Sequence, residues 1–139
     1  MDKFKEIRPI VLGIARKNDK ILVQECFDEK ENKLFYRALG GGIEFCEKSQ
    51  EALKREFLEE LGIEIEVGEY LGISENIFEY NGRRGHELVL MYNVIIKDEE
   101  YKESYTISDD NGKALWIDIE DFIQNKRILY PKEIFEYLM

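Results

Sequence analysis

Residues 40–63 read GGGIEFCEKSQEALKREFLEELGI, and this stretch decides how the rest of the chain is interpreted. Three consecutive glycines end a short apolar run. Between residues 49 and 61, leucine or phenylalanine recurs every four residues, which predicts an amphipathic helix. Ser49 is a candidate N-cap, and Gly62 follows the last apolar residue as a helix-ending glycine. The sequence therefore predicts a strand, a glycine turn and a helix in direct succession.

Three glutamates lie on one side of this predicted helix. At about 100° per residue, Glu56, Glu59 and Glu60 share a sector beside the apolar stripe. A solvated acidic face is the simplest interpretation, although like charges at this spacing cost roughly a few tenths of a kcal/mol per pair. A divalent cation is the other, because Mg²⁺ takes carboxylate oxygens together with water and substrate phosphate. The Gly40–Gly42 turn can add backbone groups, and Arg55 can hold a carboxylate by a charge-assisted hydrogen bond.

This stretch resembles the Nudix box, Gly-x5-Glu-x7-Arg-Glu-U-x-Glu-Glu-x-Gly-U, where U is a bulky apolar residue. The matching positions are Gly41, Glu47, Arg55, Glu56, Phe57, Glu59, Glu60, Gly62 and Ile63. A chance match has a probability on the order of 10⁻⁸ per start position. Two positions depart from the family pattern: Phe57 is aromatic in an aliphatic slot, and Cys46 stands where family members usually have glycine. A strained turn at Cys46 would need a somewhat different backbone.

The resemblance implies an α/β fold, the Nudix α/β/α sandwich. It would have a mixed β-sheet, a central catalytic helix and a C-terminal helix, in a single domain over residues 1–139. Apolar runs independently predict strands at 10–15, 21–27, 34–39, 63–67, 88–96 and 115–117. Pro131 can open the closing helix, with Ile134, Phe135 and Leu138 facing inward.

Nudix enzymes hydrolyse a nucleoside diphosphate linked to another moiety, cutting a phosphoanhydride bond with Mg²⁺ or Mn²⁺. The resemblance implies that the metal lowers the pKa of an attacking water and neutralises charge on the phosphate oxygens. It implies the following roles: Glu56, Glu59, Glu60 and the Gly41 carbonyl as metal ligands, Arg55 orienting a carboxylate, and Glu47 supporting the site.

The general base is left open, because the family takes this glutamate either from the box or from a later loop. Residues 83–87, RRGHE, are expected to form such a loop before the long apolar strand. Glu87 is the candidate base or an additional ligand, while Arg83 and Arg84 can meet phosphates. His86, the only histidine, is a weaker catalytic candidate. The alternative is an exposed hairpin turn without a catalytic role.

Substrate-binding candidates lie on both sides of the box. Arg37, near the glycine turn, can reach a phosphate or simply pair with a surface carboxylate. Aromatic residues can form a wall for base stacking or pack in the core; the candidates are Phe35, Tyr36, Phe78, Tyr80 and Tyr92. Tyr80 stands at about the spacing that the dinucleoside polyphosphate branch of the family marks with tyrosine. A nucleoside triphosphate and a dinucleoside polyphosphate therefore both remain open as substrates.

Composition excludes some partners. Thirty acidic against twenty basic residues give a formal net charge of −10, which disfavours binding to long nucleic acids. A small phosphorylated ligand stays possible, because a divalent cation can bridge it to an acidic protein. No apolar run reaches the roughly 20 residues that span a bilayer, and the two cysteines form neither a CxxC motif nor a disulfide framework. A cytoplasmic protein without membrane association is expected.

Two other function classes compete with the hydrolase. A non-catalytic Nudix-like domain can bind a nucleotide as a sensor, but such domains typically lose box glutamates, and all four are present here. An acidic structural adaptor predicts no dependence on Mg²⁺. A homodimer is also open, because dimers are common in the family.

Overall fold

The computed structural model of the protein describes residues 5–108 and 112–138. The strands in this part of the chain are β1 (Ile7–Lys17), β2 (Lys20–Asp28), β3 (Lys33–Gly42), β4 (Ile65–Tyr80), β5 (Arg83–Ile96), β6 (Ser104–Thr106), β7 (Lys113–Asp118) and β8 (Leu129–Tyr130). The α-helices are α1 (Ser49–Leu61) and α2 (Ile119–Ile123), and 3₁₀ helices cover Asp98–Glu100 and Lys132–Tyr137.

The strands form one mixed sheet in the order β4-β5-β1-β3-β2-β7-β6, with β8 beside β3. The pairs β1–β5 and β3–β8 are parallel, and the other pairs are antiparallel. The predicted mixed sheet is therefore confirmed. The parallel pairing of β1 with β5 sets Arg8 opposite Glu87, a contact between positions almost 80 residues apart in the chain.

Helix α1 is held on one face of the sheet by the predicted apolar stripe. Leu53, Phe57 and Leu61 are buried there against sheet residues such as Val11. Each such side chain contributes about 1.5–3 kcal/mol when fully buried. A second cluster covers the opposite face and includes Phe122 and other residues from α2 and the C-terminal segment. The sheet thus lies between two layers, as the α/β prediction required.

The strands after α1 are much longer than predicted. The expected strands at 63–67 and 88–96 are β4 and β5, which extend to a tight turn at Asn81–Gly82, where both residues have positive φ. The prediction that residues 83–87 form a loop is therefore wrong, and so is the alternative of a hairpin turn there. These residues pair with β4 from Tyr80 to Asn76. Their charged sequence lacks strand propensity, and pairing with β4 overrides it.

Two predictions about helix ends fare differently. Gly62 ends α1 in the left-handed region at φ 71°, and its N–H donates to the Leu58 carbonyl at 3.0 Å. Ser49 is not the N-cap, because it is the first helical residue and its hydroxyl lies 2.7 Å from the Tyr92 hydroxyl. Lys48 takes the capping position without a side-chain hydrogen bond.

The predicted C-terminal helix is present, but its type is not α-helical. Residues Lys132–Tyr137 form a 3₁₀ helix, with Ile134 fully buried, instead of an α-helix. A segment this short, anchored by few apolar residues, gains little from α-helical bonding. The short helix α2 was not predicted. Within the described residues, no helix is both long and apolar enough to cross a membrane.

Candidate active site

Arg55 is the centre of a cluster of charges between α1 and the glycine turn. Its Nε donates to Glu47 Oε2 at 2.7 Å. Its Nη1 donates to Glu56 Oε1 at 2.9 Å and to Glu59 Oε2 at 3.2 Å. Its Nη2 donates to the Gly42 carbonyl at 2.9 Å. One guanidinium therefore ties the acidic face of the helix to the end of β3.

This acidic cluster, Glu47, Glu56, Glu59 and Glu60 with Arg55, contains more negative charge than one arginine balances. The Arg55 hydrogen bond lowers the pKa of Glu47. Burial raises the pKa of Glu56 above its ordinary value, and this effect exceeds the opposing hydrogen bond from Arg55. The neighbouring Glu60 carboxyl group also acts on the pKa of Glu56, in the lowering direction. Two adjacent carboxyl groups, one of them partly desolvated, are chemically suited to a cation.

Gly41 is required by a close approach to Glu56. A Cβ at position 41 would overlap the Glu56 carboxyl group. The φ of Gly41 lies outside the left-handed region, so an added side chain would act by displacing the Glu56 carboxyl group and not by straining the backbone. The turn therefore packs its backbone directly against a carboxylate of the helix, as the sequence predicted when it placed Gly41 beside the proposed ligands.

The donors are suited to a hard divalent ion, but they do not form a closed cage. Among residues 5–108 and 112–138, no three acidic, histidine or cysteine side chains meet closely enough to enclose a metal. The Glu59 side chain is 57% exposed and turned toward Arg55. Mg²⁺ typically binds through one or two carboxylates and keeps several waters beside substrate phosphate. An open carboxylate face fits that mode of binding.

A cleft of about 820 Å³ opens between β2–β3 and the far end of β4–β5. Its wall includes Phe35, which meets Tyr80 edge-on at 5.8 Å between ring centroids and Tyr130 at 5.6 Å. Phe78 and Arg37 also line it. Four predicted substrate-side residues are therefore brought together. Tyr130 was missed, because only the pairing of β8 with β3 places it here.

Glu87 lies in strand β5 and is only 6% exposed. Its Oε1 accepts a hydrogen bond from Arg37 Nη2 at 2.9 Å, and its Oε2 lies 3.7 Å from Arg8 Nη1. Arg8 was missed by sequence reasoning. No motif marks it, and its partner is reached only through the parallel register of β1 with β5.

Several candidates lie elsewhere. Arg84 is exposed opposite Glu79, outside the set of residues that line the cleft. His86 pairs with Glu75 at 3.2 Å and is also outside that set. Two of the five aromatic candidates do not form part of a wall for base stacking. Tyr36 and Tyr92 are buried in the core at 2% and 6% exposure. Successive side chains of a strand point to opposite faces of the sheet, and this alternation, rather than aromatic chemistry, places Tyr36 and Tyr92 in the core.

Comparison with known protein families shows which family the chain belongs to. The family described as the NUDIX domain matches residues 6–137, nearly the whole chain. The chain belongs to the Nudix family. Nudix hydrolases in general use divalent metal ions, which agrees with the donor chemistry of the acidic cluster.

Individual Nudix relatives agree with this assignment. The chain is 35% identical over 77 residues to the CTP pyrophosphohydrolase of Escherichia coli K12, a match covering 55% of this chain and 56% of the relative. The matched part is thus about half the length of that curated relative. The solved ORF135 protein of E. coli has 25% identity and a TM-score of 0.61, covering 93% of this chain and 84% of its own. The MutT protein of Methanosarcina mazei Go1 has 18% identity and a TM-score of 0.71, covering 96% and 94%.

In the Nudix box of this protein, Cys46 occupies a backbone conformation that favours glycine. It adopts φ 67°, in the left-handed region, with a side chain present. A non-glycine residue in this region costs about 1–2 kcal/mol. Glu47 follows directly, and Arg55 from α1 holds it by two hydrogen bonds.

Proposed function

We propose that this Nudix protein is a pyrophosphohydrolase that cuts a phosphoanhydride bond in a nucleoside diphosphate linked to another moiety, with a nucleoside triphosphate as the favoured substrate. The main supporting observation is that Gly41 packs on the partly desolvated Glu56 of an acidic helix face. The printed activity of the E. coli relative, a CTP pyrophosphohydrolase, supports the same reaction class.

The residues that would hold Mg²⁺ or Mn²⁺ are Glu56, Glu59 and Glu60 with the Gly41 carbonyl. When bound, such an ion activates a water and stabilises charge that develops on the phosphate oxygens. Arg55 orients Glu56 and Glu59 by hydrogen bonds of 2.9 and 3.2 Å. Glu47, bound to Arg55 through both oxygens, keeps the guanidinium in place.

The cleft between β2–β3 and the far end of β4–β5 supplies the binding half of the site. Phe35, Tyr80 and Tyr130 offer ring surfaces on which a nucleobase can stack. Arg37 lies on the same strand as Gly41, four residues earlier, which is about 13 Å in extended chain. A nucleoside held in the cleft therefore directs its phosphates toward the acidic cluster, and fixing the reacting bond in this way lowers the barrier.

A dinucleoside polyphosphate is the second candidate substrate. Tyr80, the residue at the spacing typical of that branch, lines the cleft, and its ring contacts Phe35. The cleft volume of about 820 Å³ leaves room for a substrate with more than one nucleoside. A non-catalytic nucleotide sensor remains the rival class.

The proposal is tested by measuring phosphate and nucleotide release with Mg²⁺ across a substrate panel. The panel contains unmodified and oxidised nucleoside triphosphates, diadenosine polyphosphates, ADP-ribose and nucleotide sugars. Glu60→Gln should lower kcat by about 10²–10³-fold. Glu51→Gln is the matched control, because Glu51 is an exposed acidic residue in the first turn of the same helix.

Turnover of one class that depends on Glu60 and not on Glu51 would establish the hydrolase. Tight metal-dependent nucleotide binding without any turnover would transfer the protein to the sensor class. Turnover that survives Glu60→Gln unchanged would contradict the assigned ligand set.

A further inference from the structure

Two arginines from different strands share one buried carboxylate at the inner end of the cleft. Arg37 on β3 lies 2.9 Å from Glu87 Oε1, and Arg8 on β1 lies 3.7 Å from Glu87 Oε2. The Glu87 side chain is 7% exposed, whereas the two arginine side chains are 32% and 36% exposed. The carboxylate is therefore enclosed while both guanidiniums remain accessible.

This group of three side chains has an excess of positive charge. One carboxylate balances one of the two guanidiniums, which leaves a formal charge of +1. Each guanidinium has five N–H donors in a planar fork, and Glu87 engages only one nitrogen of each. The remaining donors suit a phosphate, which guanidinium groups bind through two parallel hydrogen bonds.

The arginines also lie between the two halves of the proposed active site. A Cβ at position 42 would stand 3.3 Å from Arg8 Nη2, so Arg8 reaches the glycine turn next to Gly41. Arg37 lines the cleft two positions along β3 from Phe35. Arg8 is outside the lining of the cleft, so the two arginines contact different parts of the proposed site. Arg8 faces the glycine turn, Arg37 faces the cleft, and Glu87 joins them.

We propose that Arg8 and Arg37 bind the phosphate next to the nucleoside, and that Glu87 is a positioning residue that holds both guanidiniums in place. This inference rests on the proposed function and gives it a polar anchor that is separate from the metal ligands. It also assigns Glu87 a role other than general base. Both Glu87 oxygens face a guanidinium, and its position at 6% exposure leaves little access for an attacking water.

The anchor is tested by comparing nucleosides with their monophosphates in calorimetric binding without metal. The pairs are cytidine with CMP, uridine with UMP, adenosine with AMP and guanosine with GMP. Arg8→Met and Arg37→Met should weaken monophosphate binding by about tenfold or more, and Arg8→Met should leave nucleoside binding within about twofold. Arg16→Met, an exposed arginine farther along β1, is the matched control.

The inference is overturned if no monophosphate binds the unaltered protein more tightly than its nucleoside. It is also overturned if Arg8→Met leaves that difference intact. Loss of turnover across the substrate panel together with a phosphate-dependent difference would contradict the hydrolase proposal and leave the anion site standing. Melting curves identify any variant that does not fold, and Arg8→Lys then replaces Arg8→Met, since it keeps the charge and removes the fork.

Glu87→Gln separates positioning from proton transfer. It keeps the size of the side chain and removes the charge that holds the arginines. A positioning role predicts a KM several times higher with kcat within about threefold of the original. A fall in kcat of about a hundredfold or more at unchanged KM would show that Glu87 is the general base and would overturn the assignment.

Discussion

Arginine and glutamate combine in opposite proportions at the two ends of this site. On the Nudix helix, one arginine, Arg55, contacts three glutamates, Glu47, Glu56 and Glu59. In the cleft lining, one glutamate, Glu87, pairs with two arginines, Arg8 and Arg37. The first group is left with negative charge and the second with positive charge. The same pair of residue types therefore produces two clusters of opposite net charge, to which the proposals above assign a cation and an anion.

The difference shows that composition alone does not determine what a charged cluster binds. In a partly buried site, unbalanced charge is costly until a ligand of opposite sign compensates it. Burial raises the pKa of Glu56 for this reason. The proposed function assigns a metal–nucleotide complex to this site, and such a complex carries both signs of charge, one for each cluster.

Paired glycine substitutions test the two clusters separately and should give the largest effect. Gly41→Ala places a Cβ on the Glu56 carboxyl group, so we expect kcat to fall by about a hundredfold while the fold persists. Gly42→Ala meets only the flexible end of Arg8, at 3.3 Å, and should raise KM by about twofold. Steady-state kinetics on the best substrate measures both. Equal losses in the two variants would show that the turn responds as a unit.

Removing the charge of Glu56 should have a moderate effect on stability that depends on pH. The pKa of this carboxyl is raised in the folded protein, so folding disfavours its ionised form, and the cost appears as the pH rises through the folded pKa. Without metal, Glu56→Gln should therefore raise Tm by a few degrees at pH 7 and by less at pH 4. Added Mg²⁺ should stabilise the unaltered protein more than this variant. Scanning calorimetry at both pH values decides the sign.

The smallest effect is expected from Arg84, which the sequence suggested as a phosphate contact. This side chain is exposed and outside the cleft lining, and exposed charges interact weakly. Arg84→Met should change KM by about twofold at most, against about tenfold or more for Arg37→Met. A KM change as large as that of Arg37→Met would place the phosphate path along the outside of β5 and would contradict the role proposed for Arg8 and Arg37.

The box was predictable because its contacts are short in sequence. Gly41 through Ile63 form one turn and one helix, so residue spacing fixes which side chains share a face. Gly62, the apolar stripe and the position of Arg55 beside Glu59 all followed from that spacing. Ser49 was misjudged, because its hydroxyl finds Tyr92 on a distant strand instead of its own helix end.

The cleft was predicted only in part, for a related reason. Phe35, Arg37, Phe78 and Tyr80 were proposed from residue type and do line it. Residue type could not separate them from Tyr36 and Tyr92, which have the same chemistry and lie in the core. Residues 83–87 were assigned to a loop because their sequence is charged. They form a strand because they pair with β4.

By itself, the sequence determined the helix and the acidic residues on it, because these depend on periodicity within one contiguous stretch. The motif in the same stretch indicated the family by resemblance. Tertiary structure alone decided that Arg8 and Arg37 would meet on Glu87, and that Tyr130 would join Phe35. Those contacts depend on strand register across β1, β3, β5 and β8. Register is set by the burial of whole strand faces, so no local sequence pattern at Arg8 or Tyr130 predicts these contacts.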